Sequence, residues 1–166
     1  MKQLFRPTMS TISALSLAVF TLWAFLTLSA LLRKDALEAL PASHWFEVKS
    51  VNVASHAINE SEVPVVYDRV IHEAFVGNWF AEIHEAETGI QVCAGEGRSR
   101  YEPSDRLPAK NIVTLDWYMG RKCVLALGRY VLKTTYKIYT DEEVIKILDT
   151  TSNIFEVKQA SAIKTP

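Results

Sequence analysis

The sequence predicts a mainly β protein: one N-terminal transmembrane helix followed by a single antiparallel β-sandwich domain. Three observations predict it. No charged side chain occurs from Pro7 to Leu32. Beyond Trp45 the apolar residues recur with a period of two, in runs rich in Val, Ile, Tyr, Phe and Trp. Turn residues separate those runs at short intervals, which is the pattern of a sandwich or barrel. The expected organisation is a short tail over 1–10, a membrane helix over 11–32, a stalk over 33–44, the β domain over 45–158 and a loose polar tail over 159–166.

The membrane segment rests on length. A helix rises about 1.5 Å per residue and the hydrocarbon core is about 30 Å thick, so about 20 apolar residues cross it. The run from Thr11 to Leu32 is long enough. A cleaved signal peptide has a basic start, an apolar stretch of about 7–15 residues and a small-x-small cleavage site. Lys2 and Arg6 supply the basic start, but the apolar run is longer than that, and cleavage after Ala42 would place Leu40 where a small residue belongs. An uncleaved anchor is the expected reading. Lys2 and Arg6 before the segment are nearly balanced by Arg33 and Lys34 after it, so basic residues alone leave orientation open. After Lys34, DALEAL continues as a helical stalk until Pro41, which cannot donate to a helix and clashes with the preceding turn.

Charge limits the partners. All 19 acidic residues follow Lys34, together with 14 of the 18 basic ones, so this part carries a formal charge of −5. Nucleic acid is excluded as the main partner, because phosphate binding needs a net basic surface. The two cysteines, Cys93 and Cys123, both lie in the β domain. An even count fits one disulfide in an oxidising compartment; the alternative is two buried thiols acting as small core residues. The disulfide reading places the N-terminus in the cytoplasm and the domain outside it, periplasmic or extracellular.

Seven strands are predicted. They are Phe46 to Ala54; Val65 to Val76; Trp79 to Glu85 after a Gly77-Asn78 turn; Ile90 to Cys93; Asn111 to Trp117; Arg129 to Tyr139; and Asn153 to Val157. The sixth is the clearest, with Tyr130, Leu132, Thr134, Tyr136 and Ile138 on one face. The stretch Val144 to Leu148 reads either as an earlier piece of the last strand or as a helical turn or two behind the acidic start at Asp141 to Glu143.

The run Leu125 to Ile138, LALGRYVLKTTYKI, resembles the penultimate strand of immunoglobulin-like and fibronectin-like sandwiches. Gly128, Tyr130 and Leu132 fill the Gly-x-Tyr-x-aliphatic positions. The resemblance implies an immunoglobulin-like sandwich in which the tyrosine hydroxyl ties down the preceding loop. The immunoglobulin cysteine two residues past that tyrosine is Leu132 here, so a Cys93–Cys123 bridge would not be the usual inter-sheet pair. The layout of an anchor, a compact β domain and a closing Ser152-Asn153-Ile154-Phe155 strand looks like small envelope proteins of bacteria and their phages.

Two groups of residues stand out as candidate sites. Ile-His-Glu-Ala occurs twice, at Ile71 to Ala74 and at Ile83 to Ala86. In a hairpin with a three-residue loop His72 would face His84, and two imidazoles with a neighbouring Glu suit zinc or copper. A two-residue loop would pair His72 with Ile83 instead, and a sandwich would place the strands in different sheets. The polar stretch Ala94 to Lys110 is read as a long loop. Arg98, Arg100, Tyr101 and Arg106 on it are residue types enriched at binding hot spots. Its GEGRSR string lacks the Gly-Lys-Ser/Thr ending of a phosphate loop. Trp45, Trp79 and Trp117 read as core anchors, or as a binding face if exposed.

No nucleophile elbow, His-Glu-x-x-His helix, Cys-x-x-Cys pair or dinucleotide fingerprint is present. The sequence thus predicts no catalytic residues and no cofactor. It predicts a single-pass protein displaying a sandwich for contact with another envelope protein. The alternatives are a metal-binding envelope protein using His72 and His84, and a phage-encoded membrane protein that interferes with envelope traffic or infection.

Overall fold

The structure is a computed structural model that describes residues 9–60, 62–103, 111–140 and 144–160. The chain divides into two units, Met1–Leu40 and Pro41–Pro166.

The first unit is helix α1, Met9–Ala39. Its stretch Ser16–Ala39 is long and apolar enough to cross a membrane, with none of it buried. The polar residues within it are satisfied locally. Thr21 donates to the Ala18 carbonyl at 2.9 Å, Thr27 to those of Trp23 and Ala24 at 3.0 and 2.9 Å, and Ser29 to Leu26 at 2.8 Å. A hydroxyl bonded to its own helix needs no water, so these residues are compatible with lipid. The helix continues into the predicted stalk as far as Ala39 and ends before Pro41.

The second unit starts with a turn of 3-10 helix, Ala42–His44. Its elements are β1 (Phe46–Val53), β2 (His56–Ala57), β3 (Pro64–Ile71), β4 (Phe75–Glu85), β5 (Gln91–Tyr101), β6 (Asn111–Thr114), α2 (Leu115–Met119), β7 (Gly128–Tyr139) and β8 (Ile145–Lys158). Two sheets form, one in the order β1-β3-β6 and the other in the order β2-β8-β7-β4-β5. All pairings are antiparallel except β2 with β8. A single apolar cluster draws on both sheets and on α2: Val51, Val65 and Tyr67 from the first sheet, Ile83, Leu132 and Phe155 from the second, and Met119 from the helix. The predicted inward row of β7 is observed, with Tyr130, Leu132, Thr134, Tyr136 and Ile138 all buried.

Five elements differ from the sequence reading. The second strand ends at Ile71, and the chain changes sheets over His72, Glu73 and Ala74. There the amides of His72 and Glu73 donate to the Trp45 carbonyl at 2.8 and 3.4 Å. Gly77 and Asn78 are not a turn but lie inside β4. Gly77 serves packing: a Cβ there would meet the Phe75 ring at 2.9 Å and the Tyr101 ring at 3.2 Å. The fourth strand continues to Tyr101, so the first part of the predicted loop is paired strand. The fifth strand stops at Thr114, where α2 begins. Thr114 Oγ1 accepts from the Trp117 amide at 3.2 Å, and Gly120, at φ 66°, closes the helix in the left-handed conformation. Residues 145–158 form one long strand, which replaces the helical alternative for 144–148.

Candidate functional site

The inward row of β5 is small: Cys93, Gly95, Gly97 and Ser99, then Tyr101. Each lies opposite an inward residue of β4. Small side chains leave room, and three different things fill it. Cys93 bonds to Cys123, 30 residues on, and ties the segment after α2 to this strand. The Met119 carbonyl at the end of α2 sits on Gly95, and the Trp79 indole lies over Gly97, where a Cβ would meet its ring at 2.5 Å. At Ser99 the space stays open as a groove of about 310 Å³, walled by both sheets and α2.

Arg69 lines the groove from β3. It occupies an inward position on β3, between Tyr67 and Ile71 in the alternation, and is half-buried. Its guanidinium carbon lies 5.3 Å from the ring centres of both Tyr67 and Tyr101, a distance at which the ring quadrupole attracts a cation. Its Nε is out of contact with solvent and has no hydrogen-bond partner among the described residues.

Opposite it the Tyr118 hydroxyl is 3.1 Å from Thr134 Oγ1 and 3.0 Å from the Tyr136 hydroxyl, so three buried polar groups satisfy one another. Burial pushes the Tyr101 hydroxyl up to about 12, with Arg69 pulling the other way. Burial likewise raises Tyr118, and raises Tyr136 well above the ordinary tyrosine value. The phenols therefore stay protonated, and none of them neutralises Arg69. Among the described residues no carboxylate pairs with it either.

The proposed binding residues separate. Tyr101 is 5% exposed and faces inward. Arg98 and Arg100 alternate to the opposite side of β5 and are exposed, although both also border the groove. Arg100 Nε donates to Glu102 Oε1 at 2.6 Å on the surface, a pair that contributes little to stability. Arg106 lies outside the described residues. Trp45 is buried, Trp79 walls the groove, and Trp117 is 65% exposed at its mouth.

The hairpin that would oppose His72 and His84 does not form, because β3 and β4 belong to different sheets. His72 Nε2 lies 3.7 Å from Glu47 Oε2. His84 is held by the Gly89 carbonyl at 2.9 Å and by Glu82 Oε2 at 3.0 Å, each on its own nitrogen. Its strand neighbours are Gln91 and Val131. Among the described residues no group of three or more His, Cys, Asp or Glu side chains is placed to hold a metal ion.

Sequence reasoning missed Arg69, Tyr67, Tyr118 and Tyr136 as site residues. The available signal was an arginine at an inward position of an otherwise apolar alternation. No protein-family model matches the chain, and no curated protein matches it.

Proposed function

We propose that the protein is a single-pass membrane protein that displays its β domain, an immunoglobulin-like sandwich, outside the cytoplasm as a non-catalytic binding module contacting another envelope protein. The observation that carries this reading is the Cys93–Cys123 bridge in a chain that also bears an exposed, membrane-length apolar helix. Disulfides persist in oxidising compartments and are rare in the cytosol. The sandwich reading draws on one apolar cluster shared by two sheets. It draws also on the Tyr130 hydroxyl, which donates to the Ala126 carbonyl at 3.0 Å, the tie across the preceding loop that the Gly128-x-Tyr130 pattern implies.

Thiol status in native membranes tests the placement. Alkylation followed by intact mass should show both cysteines labelled only after reduction. Labelling of both without reduction overturns the extracytoplasmic placement. The binding surface is tested on the exposed arginines. Arg98→Ala with Arg100→Ala should leave the fold intact and remove a partner that cross-links to the native protein; an unchanged cross-linking profile refutes that surface.

A further inference from the structure

We propose that the groove around Arg69 binds a small monoanionic carboxylate carried on a flat apolar body. Arg98 and Arg100 form the exposed rim of this groove, and the inference holds whichever way the domain faces.

The central group is a permanent cation. Arginine does not lose its proton in proteins, and its planar N–H fork matches a carboxylate. Buried guanidinium groups are ordinarily paired, because a donor removed from water without an acceptor is costly. Here Nε is buried with no acceptor, and the two rings beside it attract the charge without accepting that N–H. The surrounding phenols stay neutral, since burial holds them protonated. An arriving anion therefore meets a guanidinium that no described carboxylate neutralises.

The number of charges selects the class of anion. Arg98 and Arg100 also line the groove, but at its exposed rim, where water screens them and Glu102 holds Arg100. Among the described residues Arg69 is the one cation set inside it, which balances a monoanion and leaves a phosphate dianion under-neutralised. Among the described residues no longer helix offers the groove an N-terminus of the kind that often holds phosphates, since α2 is only five residues long. The walls select the body. Trp79 and Trp117 present indole surface, and Tyr67, Tyr101 and Tyr136 present phenol rings, so a planar apolar group gains stacking there. A volume of about 310 Å³ lies at the small end of ligand pockets, enough for one aromatic ring with its carboxylate.

The probe is para-fluorobenzoate, followed by fluorine NMR line broadening with the full chain in lipid nanodiscs, against para-fluorobenzamide of the same shape without the charge. The acid should bind saturably and the amide at least about tenfold more weakly, the usual worth of a charge-assisted hydrogen bond. Arg69→Met should bring the acid down to the amide, and Arg69→Lys should retain part of the preference. The comparison of acid with amide needs no variant, so it stands even if a substitution perturbs folding. Equal binding of acid and amide, no saturable binding of the acid at about 10 mM, or an acid preference that survives in Arg69→Met overturns the proposal. Inorganic phosphate displacing the probe better than acetate does overturns the carboxylate assignment.

Discussion

Gly95→Ala places a methyl group where the end of α2 already rests. The new Cβ would overlap the Met119 carbonyl oxygen and lie 2.7 Å from its carbon and 3.2 Å from its Cα. Carbon atoms in ordinary contact are about 3.5–4.0 Å apart, so the α2 backbone must retreat by about 1 Å. The retreat is opposed on every side. Met119 is fully buried, the neighbouring Tyr118 is held by Thr134 and Tyr136, and Cys123 is bonded to Cys93 two residues from the new methyl. Overpacking a core costs about 1–3 kcal/mol and more when backbone must move, so about 3 kcal/mol is expected. Two glycines give the comparison. Gly97→Ala meets the Trp79 indole at 2.5 Å, a side chain that can turn, so its cost is smaller. Gly89→Ala meets nothing within 4 Å and pays only the backbone strain of φ +71°, about 1 kcal/mol. Guanidinium unfolding of the full chain in mild detergent, followed by tryptophan fluorescence, reads all three. A Gly95→Ala cost no greater than that of Gly89→Ala refutes the seating of α2 on β5.

Alkaline pH should destabilise the domain through its buried phenols. An unfolded tyrosine titrates near 10, whereas folded Tyr101 titrates at about 12. Between these values the folded state keeps a proton that the unfolded state has lost, so stability falls as pH rises, by about 2 kcal/mol at pH 12 from this residue. Tyr101→Phe should make that fall shallower by about one proton in unfolding measured from pH 9 to 12; an unchanged slope counts against burial as the cause. Tyr118→Phe strands the hydroxyls of Thr134 and Tyr136 and should cost about 1–3 kcal/mol in the same unfolding assay, with a neutral effect showing that the three groups are not coupled. Replacing Cys93 and Cys123 together by Ser removes a closure over 30 residues, expected to cost about 3–4 kcal/mol by chain entropy; no change would mean that packing alone holds α2.

The parts of this fold that were legible are those in which one physical effect dominates. The uncharged run to Leu32 gives a helix long and apolar enough to cross a membrane, and the alternation from Tyr130 to Ile138 leaves little but a strand with one buried face. The errors fall where a residue type has two uses. Gly77 and Asn78 look like a turn by composition, yet Gly77 is there to admit the rings of Phe75 and Tyr101. The real break at His72, Glu73 and Ala74 carries no Gly or Pro, because its amides are taken up by the Trp45 carbonyl, a partner remote in sequence. Gly95, Gly97 and Ser99 made β5 read as loop, although strand pairing uses only backbone groups, and the missing side-chain volume is supplied by Met119 and Trp79. Arg69 was hidden for a related reason. A strand pattern shows that a position faces inward, but not that the opposite wall has been left open.

That open wall and the seat of α2 are consequences of the same row. Going along β5, the inward side chains bond to Cys123, receive Met119, receive Trp79, leave a space and close with Tyr101. The first two fix α2, and α2 carries Trp117 and Tyr118, two walls of the groove. Tyr118 in turn holds Tyr136 and Thr134 on β7, so the far wall is positioned through the same helix. Docking of α2 and the shape of the space around Arg69 are therefore not separable. Anything that lifts α2 from Gly95, whether a methyl group or loss of the Cys93–Cys123 bond, should also widen the groove and weaken whatever it holds. Gly89→Ala, at an exposed turn that touches none of these residues, should leave it unchanged.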